Sequence, residues 1–396
     1  MRKRQGWLGV LVAGLLIGTT GYFLWPRSQP VGGLAVGTAL GGGDSTGYQR
    51  AYQPRPFHFP ADHGPHPDFR NEWWYVTGNL ADAAGRRFGY QLTLFRIALA
   101  PVAPAADSAW RTNQVYMGHF ALTDIAGRRH HGFERFSRGA LGLAGARATP
   151  FRVWLEDWEL AGTESDAFPL RLRARDGDLA LDLTLQAGKP VVLQGDRGLS
   201  QKSAEPGNAS YYYSHTRLPT EGTVRLGARS FAVRGESWLD REWSTSALGP
   251  DQTGWDWFAL QLDDGRELMF YRLRRKDGGM DAFSKGVLVA ADGQVRPLRG
   301  DEVELRARGQ WVSPHTGDRY PAGWRLRLPG EKLELTVTPA VADQEMRLTV
   351  RYWEGAVAVD GRAGDKKIGG RGYLEMTRYE PAALSPNPDP ARERRE

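Results

Sequence analysis

One run of this sequence, Gly235-Glu236-Ser237-Trp238-Leu239-Asp240-Arg241-Glu242-Trp243-Ser244, sets proton donors beside large apolar rings. Trp255-Asp256-Trp257-Phe258-Ala259-Leu260-Gln261-Leu262 follows shortly after it. Side chains alternate along a strand, so Trp255 and Trp257 share one face while Asp256 and Phe258 share the other. Aromatics next to Asp240, Arg241 and Glu242 describe an apolar cavity with a few polar groups, the usual make-up of a small-molecule site. They also describe a barrel core with salt bridges at its rim. Asp240 therefore has two readings: a general acid whose pKa is raised by desolvation, or the partner of an arginine such as Arg217 at a domain junction. Glu72 shares a strand face with Trp74. If that face lines a barrel, Glu72 is an acid in an apolar cavity; if not, it lies outside.

Other chemistries find less support. His58, His63 and His66 stand near Asp62 and Asp68, but prolines break the segment and no helix face aligns the ligands, so no metal is expected. A loop packed over a barrel mouth suits them better. Ser237 and Ser244 have His215 as a conceivable base, yet neither sits in a nucleophile elbow. No glycine-rich phosphate loop opens a helix, and no cofactor is expected. His119 reads as a buried, hydrogen-bonded strand residue, and His130-His131, beside a turn, as solvated. The chain has no cysteine, which removes disulfides and thiol catalysis. Its formal charge of +6 owes half to Arg2, Lys3 and Arg4, and no basic run interleaved with aromatics follows, so no nucleic-acid partner is expected.

The elements that must position these residues are strands. Forty-nine glycines and 24 prolines in 396 residues imply many turns, and beyond the N-terminus no stretch shows a sustained helical period. Predicted strands include Asn71 to Leu80 and Phe88 to Ile97 as a hairpin, Val115 to Thr123, Phe151 to Leu160, and Leu179 to Gln186. Ser210 to Leu218 and Gly222 to Arg225 read as a pair, followed by Arg229 to Trp238. A second series starts at Trp255 and ends near Met376. Asn71-Glu72-Trp73-Trp74 and Trp255-Asp256-Trp257-Phe258 each place an acid beside a tryptophan on the first strand of a set. Each is followed by a turn and a strand carrying arginine, in Phe95-Arg96 and Tyr271-Arg272, which points to duplication.

The N-terminus reads as a membrane segment. Arg2, Lys3 and Arg4 precede an uncharged apolar stretch from Trp7 to Trp25, and about 20 such residues span a bilayer as a helix. Positive residues before the span keep the N-terminus in the cytoplasm. The body is then periplasmic or otherwise extracytoplasmic, anchored to the inner membrane by an N-terminal helix, or secreted if the segment is cleaved. The expected organisation is an anchor or signal peptide over 1–25, a flexible linker over 26–53, barrels over 54–245 and 246–382, and a polar tail over 383–396.

Several motifs resemble one family. They are His66-Pro67-Asp68-Phe69-Arg70-Asn71-Glu72-Trp73-Trp74-Tyr75-Val76-Thr77-Gly78, Tyr213-Ser214-His215-Thr216-Arg217-Leu218, Trp238-Leu239-Asp240-Arg241-Glu242-Trp243, Gly254-Trp255-Asp256-Trp257-Phe258 and Tyr352-Trp353-Glu354-Gly355. Their order is similar to that of AttH-type, carotenoid 1,2-hydratase-like proteins labelled predicted secreted hydrolases. The resemblance implies an all-β fold of two consecutive lipocalin-like antiparallel barrels, with the functional cavity in or between them. It also implies cofactor-free acid chemistry, with Asp240 at the acid-bearing position and His215 or Glu72 orienting water. Trp238 stands where the hydratases prefer tyrosine. Trp74, Tyr213, Arg217, Trp238, Arg241, Trp255, Trp257 and Tyr271 are the expected ligand-binding residues. Two functions fit: hydration or cyclisation of an apolar, isoprenoid or lipid-like molecule, and non-catalytic carriage of such a molecule to an ABC-type membrane transporter.

Overall fold

The computed structural model describes residues 45–379, apart from 104, 106, 107, 164, 165 and 247. The expected anchor, the linker up to residue 44 and the polar tail lie outside the described residues. The described chain is all-β, with three short 3-10 turns. Among the described residues no helix is long and apolar enough to cross a membrane.

Two large antiparallel sheets carry the fold, one with 13 strands between Asn71 and Ser244, the other with ten between Gln252 and Thr377. Both are wired alike. The first strand, Asn71–Asp82, pairs with the second, Arg87–Ala98, and with the last, Arg229–Ser244. Likewise Gln252–Leu262 pairs with Glu267–Arg275 and with Lys366–Thr377. First-to-last pairing bends each meander round into a near-closed barrel, whose remaining edge strands are Arg129–Arg138 and Ala144–Arg147 in the first and Val295–Arg299 and Glu304–Ala307 in the second. The result is two lipocalin-like barrels, each filled by its own apolar cluster, Trp74 and Trp243 in one and Phe258 and Trp324 in the other.

The internal likeness has a structural counterpart. Glu72 lies opposite Arg96 across the first hairpin, and Asp256 lies opposite Arg272 across the corresponding hairpin of the second barrel. Both acids are fully buried inside their barrels. Glu72 is ion-paired with Arg96 and Arg241, and Asp256 with Arg274 at 2.6 Å. A buried carboxylate persists only when paired and hydrogen-bonded, which explains why each carries arginine beside it.

The barrels pack side against side. Residues 74 to 80 of the strand Asn71–Asp82 are all buried, where a barrel wall facing water would alternate. Trp74 and Val76 point into the first barrel, while Tyr75 joins Tyr212, Trp238, Trp257, Tyr271 and Tyr373 in a separate cluster that spans both sheets. At Gly89 the walls approach so closely that a Cβ would stand 2.6 Å from that of Ala356. Asn79 Nδ2 donates to the Gly372 carbonyl at 3.0 Å, and Gln261 Nε2 to that of Thr216 at 2.8 Å. Arg217 bonds Glu267 at 2.5 Å and also pairs with Glu236.

Three strand expectations change. Ser210 to Leu218 and Gly222 to Arg225 belong to one long strand, Ala209–Leu226, with a register shift between His215 and Leu218. Phe151 to Leu160 is instead a hairpin of Arg152–Leu155 and Trp158–Ala161, turned at Glu156, whose φ is 57°. His130 and His131 lie on the strand Arg129–Arg138, only partly exposed, with the His130 ring 2.9 Å from Thr123 Oγ1.

Candidate active site

The cavity with aromatic walls lies between the barrels. The outer faces of both sheets line it, around about 990 Å³ of empty space that includes solvent at its mouth. Strand parity explains its composition. Tyr212, Trp238, Asp240 and Glu242 alternate with barrel-1 core residues, and Trp255, Trp257, Tyr271 and Glu375 alternate with barrel-2 core residues. An outer face that would be polar in a lone barrel is here apolar because the second barrel covers it.

Asp240 is the most constrained group in this cavity. Its Oδ1 accepts from Ser214 Oγ and Trp238 Nε1, each at 2.6 Å, and its Oδ2 from the Tyr212 hydroxyl at 2.5 Å. Trp257 Nε1 in turn donates to Tyr212 at 3.1 Å. Three donors favour the carboxylate, but full burial disfavours charge more strongly, and Glu242 adds repulsion. The Asp240 carboxyl is pushed up to about 7. It thus carries a proton in part of the population at neutral pH, inside walls of indole and phenol.

More acids stand close by. Glu375 accepts from Trp255 Nε1 at 2.7 Å, and burial followed by the charges of Asp240 and Glu242 raises it to about 7. Directly opposite it on the neighbouring strand is Glu354, held well above the usual carboxyl range by burial and by Glu375. Two buried carboxyls so placed hold a proton between them and titrate as a pair. Glu242 is paired with Lys202 at 2.9 Å. Burial opposes the Lys202 charge, but Glu242, Tyr271 and Asp240 together more than offset this and keep the ammonium protonated. His119, on the far wall, bonds the Tyr352 hydroxyl at 2.8 Å and Glu134 at 3.1 Å.

A family model described as AttH-like matches residues 50–379. The chain belongs to the AttH-like family. The AttH-like protein is similar to the crystal structure of an AttH candidate from Nitrosomonas europaea at 35% identity, with a TM-score of 0.73 over 83% of this chain and 98% of that one. It is similar in fold to kievitone hydratase from Nectria haematococca, at 14% identity and a TM-score of 0.63 over 84% and 95% of the two chains. No curated protein matches the sequence.

The AttH-like fold gathers only some of the residues singled out by sequence. Asp240, Trp238, Trp255, Trp257 and Tyr271 meet in or beside the inter-barrel cavity. Glu72, His215, Trp74, Tyr213 and Arg241 occupy the interior of the first barrel, across the sheet. Glu72 is therefore no partner for Asp240. Its two arginines overcome the cost of burial and hold its carboxyl well below the usual range, so it stays ionised and occupied. His215 is also separated from Asp240, since it faces the barrel interior at an odd-numbered position of Ala209–Leu226, while even-numbered Tyr212 lines the cavity and Ser214 bonds Asp240. Burial, then the neighbouring His63, lowers its pKa to about 3, leaving it neutral. Tyr213 bonds the His63 ring at 2.6 Å, and the Arg241 guanidinium lies 3.9 Å over the Trp74 ring. Arg217 pairs with Glu236 and Glu267 rather than with Asp240. The His66 ring stacks on Trp243 at 3.7 Å and reaches Asp62 at 3.0 Å, so this segment caps the first barrel.

Sequence reading missed Lys202, Tyr212 and Glu375 as cavity residues, and Glu354 behind them. A signal existed for two of these. Tyr352-Trp353-Glu354-Gly355 was one of the family motifs, and Leu374-Glu375-Met376 sets an acid between apolar strand neighbours.

Proposed function

We propose that the protein is a cofactor-independent acid catalyst that adds water to, or cyclises, an apolar isoprenoid or lipid-like alkene. The observation that carries this reading is the Asp240 carboxyl, buried beside an aromatic cavity and held by three donors, where burial raises its affinity for a proton. The Asp240 proton passes to one alkene carbon, and the π electron pair forms the new C–H bond. The adjacent carbon is left positive, and water adds to it. The proton released by that water returns to the Asp240 carboxylate, so alkene plus water gives alcohol. In cyclisation a second π bond takes the place of water, and loss of a proton restores the acid.

Tyr212, Ser214 and Trp238 hold the carboxyl in one orientation, and their three bonds strengthen as it ionises, which favours the transition state over the ground state. The apolar walls exclude bulk water, which would otherwise quench the cation. Tethering by residues 1–25 would place such a cavity beside the bilayer in which its substrate dissolves. The test is native mass spectrometry of the protein purified from its own membranes, followed by incubation of any co-purified molecule. A gain of one water in mass that is lost in Asp240→Asn supports the reading, and retained turnover in that variant removes it. The same apolar cavity also fits a carrier that delivers an apolar molecule to an ABC-type transporter. That alternative requires saturable retention of the ligand with no change in its mass.

A further inference from the structure

The inter-barrel cavity has an unbalanced electrostatic make-up. Asp240, Glu242 and Glu375 line it, with Glu354 directly behind Glu375, and Lys202 is the one lysine or arginine among the lining residues. Lys202 is already committed to Glu242. Its ammonium also lies 4.5 Å from the centre of the Tyr271 ring and 5.6 Å from that of Tyr212, so aromatic walls already seat one cation. Glu354 is fully buried behind this wall, where its Oε1 accepts from the neutral Tyr75 hydroxyl and Glu375 is its carboxyl partner, so no arginine or lysine among the described residues is paired with it. No group of His, Asp and Glu with metal-holding geometry occurs among the described residues. Aromatic faces do not chelate, but they attract organic cations with apolar substituents.

From this arrangement we infer that the cavity is a site for an organic cation, seated between Asp240 and Glu375 and walled by Tyr75, Trp255 and Trp257. A quaternary or tertiary ammonium with apolar substituents is the ligand class it takes. The inference deepens the acid-catalysis reading and rests on it for one point: the cation formed during turnover would occupy this place, and an ammonium would mimic it. As a binding site it stands without turnover.

The groups that face the site are Asp240, Glu242, Glu375, Glu354, Lys202, and His119 with its partner Glu134. A bound cation favours the ionised carboxyls, so binding expels protons below about pH 7 and tightens as pH rises.

The test titrates the full-length chain, in a non-ionic detergent, with benzyltrimethylammonium and its neutral carbon isostere neopentylbenzene. We expect the ammonium to bind about tenfold tighter than the isostere at about pH 8, with that preference shrinking by about pH 6. Glu375→Gln should weaken the ammonium alone. Lys202→Met, which removes the one competing positive charge from the lining and leaves Glu242 unpaired, should tighten it, a gain that misfolding cannot produce. Equal binding of the two probes, a pH-independent preference, or weaker ammonium binding in folded Lys202→Met overturns the inference. A chain that prefers the ammonium but never turns over an alkene keeps the site and removes the acid-catalysis reading. Alkene hydration with no ammonium preference does the reverse.

Discussion

The Tyr75 hydroxyl of the first barrel donates to Glu354 Oε1 of the second at 2.8 Å, although 279 residues separate them in the chain. The bond is buried and ties the two walls of the cavity together. Tyr75→Phe should therefore destabilise the chain by about 1–3 kcal/mol, the cost of leaving a buried acceptor unmade. Urea unfolding of the variant measures this, and an unchanged midpoint would show that the barrels do not depend on the bond.

Asp240 and Glu375, both raised to about 7, give stability an unusual pH dependence. Between about pH 4 and pH 7 they are protonated in the folded chain and ionised in the unfolded one, so the folded state binds more protons and stability falls as pH rises. Glu72 and Asp62, whose carboxyls are held below the usual range despite burial, act in the opposite sense. Their contribution is present above about pH 4 and is lost as pH falls further. His63, His130 and His215, lowered by burial to about 4, 3 and 3, oppose that fall below about pH 6.5, because they are neutral when folded and protonated when unfolded. The acid contribution is therefore read by difference: the stability of Asp240→Asn relative to the unsubstituted chain should rise between about pH 4 and pH 7, and urea midpoints that keep a constant difference across that range would contradict it.

Removing a donor from the Asp240 carboxylate should make the acid weaker. In Tyr212→Phe the bond to Oδ2 is lost, so Asp240 should hold its proton to higher pH. Carboxyl carbon NMR reads the titration without any substrate. A midpoint that stays in place would mean that the Tyr212 bond does not favour the ionised form.

Glu72 offers a contrast. In Glu72→Gln the buried guanidiniums of Arg96 and Arg241 lose their counter-charge, at a cost of about 3–5 kcal/mol. Any variant protein that still folds should keep its inter-barrel cavity intact, because Glu72 lies on the other side of the sheet. Denaturation shows the first effect and ammonium binding the second. Loss of binding in the folded variant would mean that the two faces are coupled.

Strand content, two barrels and their shared first-strand pattern of acid and tryptophan were legible in the sequence, because alternation and turn residues are local properties. The long strand Ala209–Leu226 was not, since Pro219 and Gly222 look like breaks until neighbouring strands hold them in register. The faces were harder still. Alternation assigns Trp73 and Tyr75 to one side and Glu72 and Trp74 to the other, yet aromatics stand on both. A barrel wall buried on both sides gives no hydrophobic contrast to say which side is the lumen. Only the packing of the second barrel onto the first makes the outer face the site, by bringing Glu375 to the side of the sheet that carries Asp240 and Lys202, while Glu72 and His215 stay on the other side. The sequence alone therefore determined the strands and the chemistry available to them. Tertiary structure decided which carboxyls share a cavity, because long-range burial sets both their neighbours and their charge.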